Sequence, residues 1–165
     1  MHWLVLWLQV FSFFFMDKSI TYQQTAKNID LCFKDYPISI IGKMSLIASM
    51  LMNAFPDWIF CGFYRKVSEE MLEIGPFQSA IIPCGQIHFS SGVCGKAAST
   101  CETVIVENVM NFSGYISCDD ETVSEIVVPV VKNGELIAVL DVDGPNEGQF
   151  DSTDQKYLEK IVHLI

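Results

Sequence analysis

The stretch SEIVVPVVKNGELIAVLDVD, residues 124–143, decides the fold class. Its two halves, Ser124–Val131 and Glu135–Val142, are rich in β-branched and other apolar residues, and Lys132-Asn133-Gly134 stands between them. An Asn-Gly step between two such segments predicts a β-hairpin. The hairpin therefore indicates an antiparallel sheet.

Outside the hairpin, the spacing of apolar residues alternates between the periods of helices and strands. The predicted elements are helices over 18–35 and 38–55, strands over 58–65 and 71–74 (the latter ended by Gly75-Pro76), a helix over 92–100, a strand over 103–106, and a helix from 151 onwards. Helices before and after a set of strands predict an α+β domain, with an antiparallel sheet covered by helices.

The composition excludes several classes of protein. The 165 residues carry a net charge of -10, from 10 Lys and Arg against 20 Asp and Glu. Binding to nucleic acid or to anionic lipid requires a cationic surface, so we expect no nucleic acid and no membrane as partner. Half of the residues are hydrophobic, which excludes a disordered chain.

The first fifteen residues, MHWLVLWLQVFSFFF, differ from the rest because none of them is charged. They are fewer than the about 20 apolar residues of a membrane span, and they lack the basic start and cleavage site of a signal peptide. We therefore expect residues 1–15 to be a hydrophobic N-terminal extension outside the fold, and residues 16–165 to form a single domain.

Four of the six cysteines lie in the loop-rich third of the chain: Cys84, Cys94, Cys101 and Cys118. Their spacing contains no C-x-x-C pair, which argues against a zinc site, and we expect no bound metal. Loop thiols that can approach one another favour cytosolic thiol chemistry with an attacking and a resolving cysteine. Cys94 stands where a helix begins, a position that lowers the pKa of a thiol.

Acidic residues continue one side of the second hairpin strand, where alternation predicts a single face for Ile137, Val139, Asp141 and Asp143. If the strand leaves the sheet at Asp141, both acids are solvated. A two-residue Asn133-Gly134 turn would pair Glu125 with Val142, away from the aspartates; a three-residue turn would pair it with Asp141, on their face. Three carboxylates on one face would raise one another's pKa, so that one can donate a proton and the others can bind an ammonium group.

The chain contains several short motifs in this order: CGFY at 61–64, GPFQ at 75–78, GVCG at 92–95, AAST at 97–100, CD at 118–119, SEIVVP at 124–129 and LDVD at 140–143. With them, roughly residues 20–165 resemble the GAF-domain proteins of the free methionine-(R)-sulfoxide reductase family. Cys84, Cys94 and Cys118, together with Glu125, Asp141 and Asp143, are specific to this reductase branch of the GAF-domain proteins. The resemblance implies a GAF fold, with about six antiparallel strands covered by helices, and an oxidoreductase.

The resemblance also implies a mechanism. Cys118 attacks the sulfur of free methionine-(R)-sulfoxide and becomes a sulfenic acid as methionine leaves. Cys84 or Cys94 then forms a disulfide with it, and in the family Cys84 is the usual partner, with Cys94 as a helper. Thioredoxin or a similar dithiol reduces the disulfide, so no bound cofactor is expected.

The substrate-binding residues follow from the same resemblance. Glu125, Asp141 and Asp143 hold the ammonium group and assist proton transfer, and the backbone amides of residues 115–118 (Tyr115, Ile116, Ser117, Cys118) hold the carboxylate. Phe60, where the family usually has Trp, and Tyr64 wall the methyl end. Cys101 stands where the family commonly has a small residue such as Gly, and we expect it to fill space without a role in the reaction.

Two other functions fit parts of the sequence. A non-catalytic GAF sensor would bind a small ligand, but sensing does not require the three cysteines. A thiol hydrolase would need His88 beside Cys118. We expect the reductase, acting in the cytoplasm against oxidative stress, with free methionine sulfoxide and a thioredoxin-like reductant as partners; a homodimer is left open.

Overall fold

The computed structural model describes residues 17–35, 37–79 and 81–165. Over these residues it has four α-helices and six strands: α1 (Lys18–Asp35), α2 (Ile40–Ala54), β1 (Phe60–Lys66), β2 (Met71–Ser79), β3 (Gln86–His88), α3 (Gly92–Thr100), β4 (Val104–Val106), β5 (Ser124–Lys132), β6 (Glu135–Gly144) and α4 (Ser152–Val162). The predicted extension, residues 1–15, lies outside the described residues. Within the described ranges, no helix has both the length and the apolar character that crossing a membrane requires.

The six strands that the structure describes form one sheet, in the order β3-β2-β1-β6-β5-β4. Every neighbouring pair is antiparallel. The predicted hairpin is β5–β6, and its second strand also pairs with β1 at the centre of the sheet. The α+β architecture and the six antiparallel strands expected from the sequence are confirmed.

Helices α1, α2 and α4 cover one face of the sheet, which we call the helical face. Alternate residues of the central strands point to it, among them Phe63 of β1, Val128 of β5 and Leu140 of β6, and all three are fully buried. The helices contribute residues at helical spacing, such as Leu158 and Ile161 of α4. This face is a continuous apolar core.

A buried carboxylate ties the first helix to the last. Asp151 caps α4 and shares a capping box with Asp154. The Asp154 carboxylate also accepts hydrogen bonds from the Tyr22 hydroxyl, at 2.8 Å, and from Lys18 Nζ, at 2.6 Å. Asp151 thus caps the helix that was predicted from residue 151 onwards, and its box partner joins α1 to α4.

Strand β2 is longer than predicted. Gly75-Pro76 was expected to end it at Ile74, whereas it continues to Ser79. The register shifts here, because two residues of β2, Gly75 and Pro76, lie opposite the single residue Phe63 of β1. A Cβ on Gly75 would lie 2.9 Å from the Phe63 carbonyl oxygen, so glycine permits this close approach. A β-bulge, not a strand end, explains the Gly-Pro pair.

Among the helices that the structure describes, α3 is the one that covers the opposite face of the sheet, which we call the pocket face. Its apolar core is smaller and includes Phe60, Tyr64, Val127 and Val139. At one end of this face the apolar residues give way to carboxylates and cysteines, which line a pocket.

Candidate active site

The hairpin places three carboxylates at the end of the pocket face. Its turn has two residues, because Lys132 pairs with Glu135, and both Asn133 and Gly134 have positive φ angles, 54° and 84°. A bulge follows at once: Val131 pairs with Leu136 and Val130 with Ala138, which leaves Ile137 as the extra residue. Glu125 therefore lies opposite Asp143.

Neither predicted register is correct, although the three acids do converge. The two-residue turn alone would pair Glu125 with Val142, and the bulge shifts this pairing by one residue. The bulge also changes the face of Ile137, which was predicted beside Val139 and instead packs against the core of the helical face. Asp141 remains within the strand, so it is not solvated beyond the sheet.

Two of the three carboxyl groups are buried, and the three repel one another when they are ionised. Glu125 and Asp141 are each 6% exposed. Burial raises the pKa of Asp141 to about 7, although the Cys94 thiol and the Glu125 carboxyl act in the opposite direction. Burial, and then the charge of Asp141, holds the pKa of Glu125 and of Asp143 well above the usual range. Asp141 Oδ1 has no hydrogen-bond partner among the described residues.

Cys94 lies in the first turn of α3 and forms part of the pocket floor. It is 3% exposed, and burial followed by the charges of Asp141 and Glu125 raises the pKa of its thiol well above the usual value. The expectation that the helix N-terminus would lower this pKa is wrong, because desolvation and acidic neighbours outweigh the helix dipole. Cys94 is a protonated thiol at neutral pH.

Cys84 and Cys118 form a disulfide, with their Cα atoms 5.6 Å apart. Cys84 lies in the loop before β3, and Cys118 lies in the long loop of residues 112–123 between the 3₁₀ turn (Val109–Asn111) and β5. Cys118 lines the pocket, whereas Cys84 does not. This Cys84–Cys118 pairing is the one that is usual in the family that the sequence resembles.

The loop of residues 112–123 is held by its own side chains. The Asp119 carboxylate accepts the backbone N–H groups of Glu121 and Thr122, each at 2.7 Å, and the Thr122 hydroxyl at 2.9 Å. The Ser117 hydroxyl donates to the Asp119 carbonyl oxygen. Asp119 lines the pocket but was not among the predicted site residues; an Asp followed three residues later by Thr is the signal that could have indicated it.

Aromatic rings form the wall of the pocket. Phe60 and Tyr64 are both buried, and their ring centroids are 6.3 Å apart. Burial, followed by the neighbouring Asp141, raises the pKa of Tyr64, and burial and Glu125 raise that of Tyr115, so both are neutral hydroxyls. They offer apolar surface with a hydrogen-bonding end.

The predicted site residues that line the pocket are Phe60, Tyr64, Cys94, Tyr115, Ile116, Cys118, Glu125, Asp141 and Asp143. Ser117 and Cys84 lie in its loops without lining it. Lining residues that the prediction omitted are Ile81, Pro83, Ile87, Gly92, Val93 and Asp119. With the disulfide formed, the cavity measures about 40 Å³. Ligand pockets usually measure roughly 300–1,000 Å³, so the disulfide form is nearly closed.

His88 does not join this site. It lies on β3, where Glu70 is 3.3 Å from its Nε2, and its Nδ1 accepts the N–H of Ser90. Since His88 does not line the pocket that contains Cys118, the structure gives no support to a Cys118–His88 hydrolase.

The fold and the site define a GAF domain with a disulfide at the mouth of an acidic pocket. A family model described as GAF domain matches residues 47–165. The chain is 41% identical, over 79% of its length and 76% of the relative's, to a free methionine-R-sulfoxide reductase from Saccharomyces cerevisiae. It is 33% identical to the enzyme of that name from Escherichia coli, over 78% of this chain and 81% of that one.

Structural similarity agrees with the sequence comparison. The structure of free methionine-R-sulfoxide reductase from Neisseria meningitidis, in complex with its substrate, superposes with a TM-score of 0.85 at 33% identity. The match covers 91% of this chain and 89% of that one. This chain belongs to the free methionine-R-sulfoxide reductase family.

Proposed function

We propose that this protein reduces free methionine-(R)-sulfoxide to methionine, with Cys118 as the nucleophile. The observation that carries the proposal is the position of Cys118 in one pocket with three carboxylates, of which Glu125 and Asp141 are buried. A sulfoxide needs a nucleophile at sulfur and a proton at oxygen, and this pocket contains both.

The carboxylates explain why a free amino acid would be the substrate. In this proposal the ammonium group binds Asp141, whose Oδ1 has no hydrogen-bond partner among the described residues, together with Glu125 and Asp143. A buried carboxylate oxygen without a partner is costly, and a cationic ligand supplies the missing donor. The backbone N–H groups of residues 116–118 receive the substrate carboxylate, since that of Tyr115 donates to the Phe112 carbonyl oxygen at 3.2 Å. Methionine within a polypeptide has neither charged terminus and is excluded.

The proposed reaction proceeds in three balanced steps. The Cys118 thiolate attacks the sulfoxide sulfur, the oxygen passes to Cys118 as a sulfenic acid, and methionine leaves, reduced by two electrons. Glu125 and Asp143 provide protons, since their raised pKa values keep carboxyl protons available at neutral pH. The Cys84 thiol then condenses with the sulfenic acid and releases water, which gives the Cys84–Cys118 disulfide. An external dithiol reduces this disulfide and is itself oxidised to a disulfide.

Cys94 does not need to act as a nucleophile in this sequence of steps. Its thiol is buried and protonated, and it lines the pocket together with Cys118. We assign it a positioning role, as a hydrogen-bond donor close to Asp141 and Glu125.

The external reductant in this proposal is a thioredoxin-like dithiol, and no bound cofactor takes part. Cys84 is partly exposed, and its neighbour Ile82 is 87% exposed, which supports an approach from this side to the Cys84 sulfur. Acidic residues follow Cys118 and repel an incoming thiolate there. A thiol cycle of this kind needs a reducing compartment, so we place the protein in the cytoplasm, where it would repair oxidised methionine under oxidative stress.

The test is incubation with racemic free methionine sulfoxide and either dithiothreitol or thioredoxin. We expect one epimer to be consumed, no consumption by Cys118→Ser, and unchanged turnover by the matched control Cys101→Ser, which removes a thiol outside the pocket. Absence of turnover with both reductants would contradict the proposal. Binding of the sulfoxide without turnover would favour the sensor.

A further inference from the structure

The floor of the pocket brings together three atoms of the kinds that bind metal ions. The Cys94 sulfur, one oxygen of Glu125 and one oxygen of Asp141 all lie within 4.8 Å of one another. All three residues are buried, and Asp141 Oδ1 has no hydrogen-bond partner in the described part of the chain. The residues that line the pocket in the described ranges include no Lys, Arg or His to balance the acids.

We propose that Cys94, Glu125 and Asp141 form a binding site for a thiophilic divalent cation, in the first place Zn²⁺, which competes with the ammonium group of the substrate. The metal site stands on its own geometry. Competition with the substrate rests on the proposed function.

The donor set selects the metal. Zn²⁺ binds sulfur at about 2.3 Å and carboxylate oxygen at about 2.0–2.2 Å, which places tetrahedral ligands roughly 3.3–3.6 Å apart. The three atoms of this floor reach such separations by a contraction of about 1 Å, within the range of side-chain rotation. Thiolate favours Zn²⁺ or Cd²⁺ over Mg²⁺ and Ca²⁺, which prefer sites made of oxygen atoms alone. Three protein ligands leave one coordination position for water.

A divalent cation offsets most of the negative charge that its ligands acquire when they lose their protons, since three anionic ligands and one divalent cation leave a net charge of -1. Binding replaces the proton of the Cys94 thiol and the protons of the two carboxyl groups, and these protons pass to solvent. The nearby Asp143 is not a ligand in this proposal. The spacing of the cysteines did not indicate this site because two of its three donors come from the hairpin.

The site exists in the disulfide form of the protein. Cys84 and Cys118 are tied to each other there, so Cys94 is the free thiol among the lining residues that the structure describes. Metal bound below the disulfide would occupy the place of the ammonium group after the disulfide is reduced. The metal would thereby inhibit the enzyme competitively, without being a cofactor of the reaction.

The experiment uses the full-length chain in its disulfide form, without sulfoxide or reductant. Cd²⁺ is the spectroscopic probe, because a thiolate–Cd²⁺ bond gives a charge-transfer absorption in the ultraviolet, and Zn²⁺ titration by calorimetry gives the affinity. We expect one Cd²⁺ per chain with this absorption in the wild type and in Cys101→Ser, the matched control with one exposed thiol removed. Cys94→Ser loses the absorption and binds Zn²⁺ about tenfold or more weakly.

A second variant and an activity measurement complete the test. Asp141→Asn keeps the thiol and is expected to bind Zn²⁺ about tenfold more weakly. Equal affinities of wild type, Cys94→Ser and Asp141→Asn would overturn the site. If the proposed reductase function is wrong but the metal site is right, the protein will bind the metal and will not reduce the sulfoxide. In an active enzyme, Zn²⁺ should raise the KM for the sulfoxide and leave kcat unchanged; a lowered kcat with constant KM would overturn the competition.

Discussion

The two faces of the sheet are built from the same strands and serve opposite purposes. Leu140 and Asp141 are neighbours on β6, yet the first is fully buried in the apolar core of the helical face and the second lies in the pocket. On the helical side, the buried Asp154 carboxylate accepts hydrogen bonds from Tyr22 and Lys18 and so joins two helices. The pocket face keeps buried carboxylates together at the expense of stability. Because alternate residues of a strand point to opposite faces, the same strands supply the stabilising apolar core on one face and the reactive groups of the pocket on the other.

The largest difference between the faces is expected from two serine substitutions. Cys118→Ser removes the nucleophile, and we expect turnover to fall on the order of 10³-fold or more. In the reduced protein its free energy of unfolding should stay within about 0.5 kcal/mol of the wild type. Methionine formation and urea denaturation measure the two quantities.

Cys61→Ser is the matched variant on the helical face, where Cys61 is fully buried. A buried hydroxyl without a partner should lower the free energy of unfolding by about 1–3 kcal/mol, with turnover per folded molecule unchanged. A loss of turnover equal to that of Cys118→Ser would contradict the separation of the two faces.

Leu140→Ala should produce the largest change of stability. Leu140 is fully buried beneath the helices, and its truncation removes apolar contacts and leaves a cavity. We expect the free energy of unfolding to fall by about 2–5 kcal/mol, measured by urea denaturation. The affinity for substrate should stay unchanged in the folded protein, because Leu140 does not line the pocket.

Asp141→Asn, one residue further, should change stability in the opposite direction. The pKa of Asp141 is about 7 in the fold and 3.8 in an unperturbed chain, so the folded state holds more protons between these values. The free energy of unfolding of the wild type therefore falls as pH rises through this window and stays low above about 7. Asparagine does not titrate and keeps no buried charge.

We expect Asp141→Asn to be more stable than the wild type by about 1–3 kcal/mol above this window, with the advantage disappearing towards its lower end. Turnover should fall in the same variant. Urea denaturation of the disulfide form at both ends of the pH window measures the effect. An advantage that does not depend on pH would show that the carboxylate is not the cause.

The smallest expected effect concerns the end of α3. Cys101 has a φ angle of 53°, a left-handed conformation that glycine adopts without strain at a helix end. Cys101→Gly should raise the free energy of unfolding by about 0.5–1 kcal/mol without affecting turnover. Asn133→Gly is the control, since Asn133 has a φ of 54° but asparagine tolerates this region, and its effect should be smaller. Thermal denaturation compares the two.

The regular parts of the fold were predictable from the sequence. The helices of residues 18–35 and 92–100, the hairpin and the last helix follow from local periodicity and turn residues, which act over a few positions. The convergence of Glu125 with Asp141 and Asp143 was predicted in one of the two registers considered, and that register required a three-residue turn that the structure does not have. The bulge at Ile137 has no signal in the local pattern, because it depends on the pairing of both strands.

Electrostatics were the least predictable part of the site. The position of Cys94 at the start of α3 was visible in the sequence, yet its pKa is set by burial and by carboxylates that lie about 30 to 50 positions further along the chain. The bulge at Gly75-Pro76 was hidden for a similar reason, since it depends on the backbone of β1 opposite. Contacts between distant segments decide both features.

The bulge at Ile137 gives β6 one extra residue that has no pairing partner on β5. A regular ladder through Leu136 and Ala138 would keep every pairing of β5 with β6 beyond them, Glu125 with Asp143 included. Loss of that single residue during evolution would therefore leave the acids in place, whereas a deletion between Glu125 and Val130 would turn Glu125 to the opposite face of the sheet, away from Asp141 and Asp143. The hairpin can shorten by one residue on one strand and nowhere on the other.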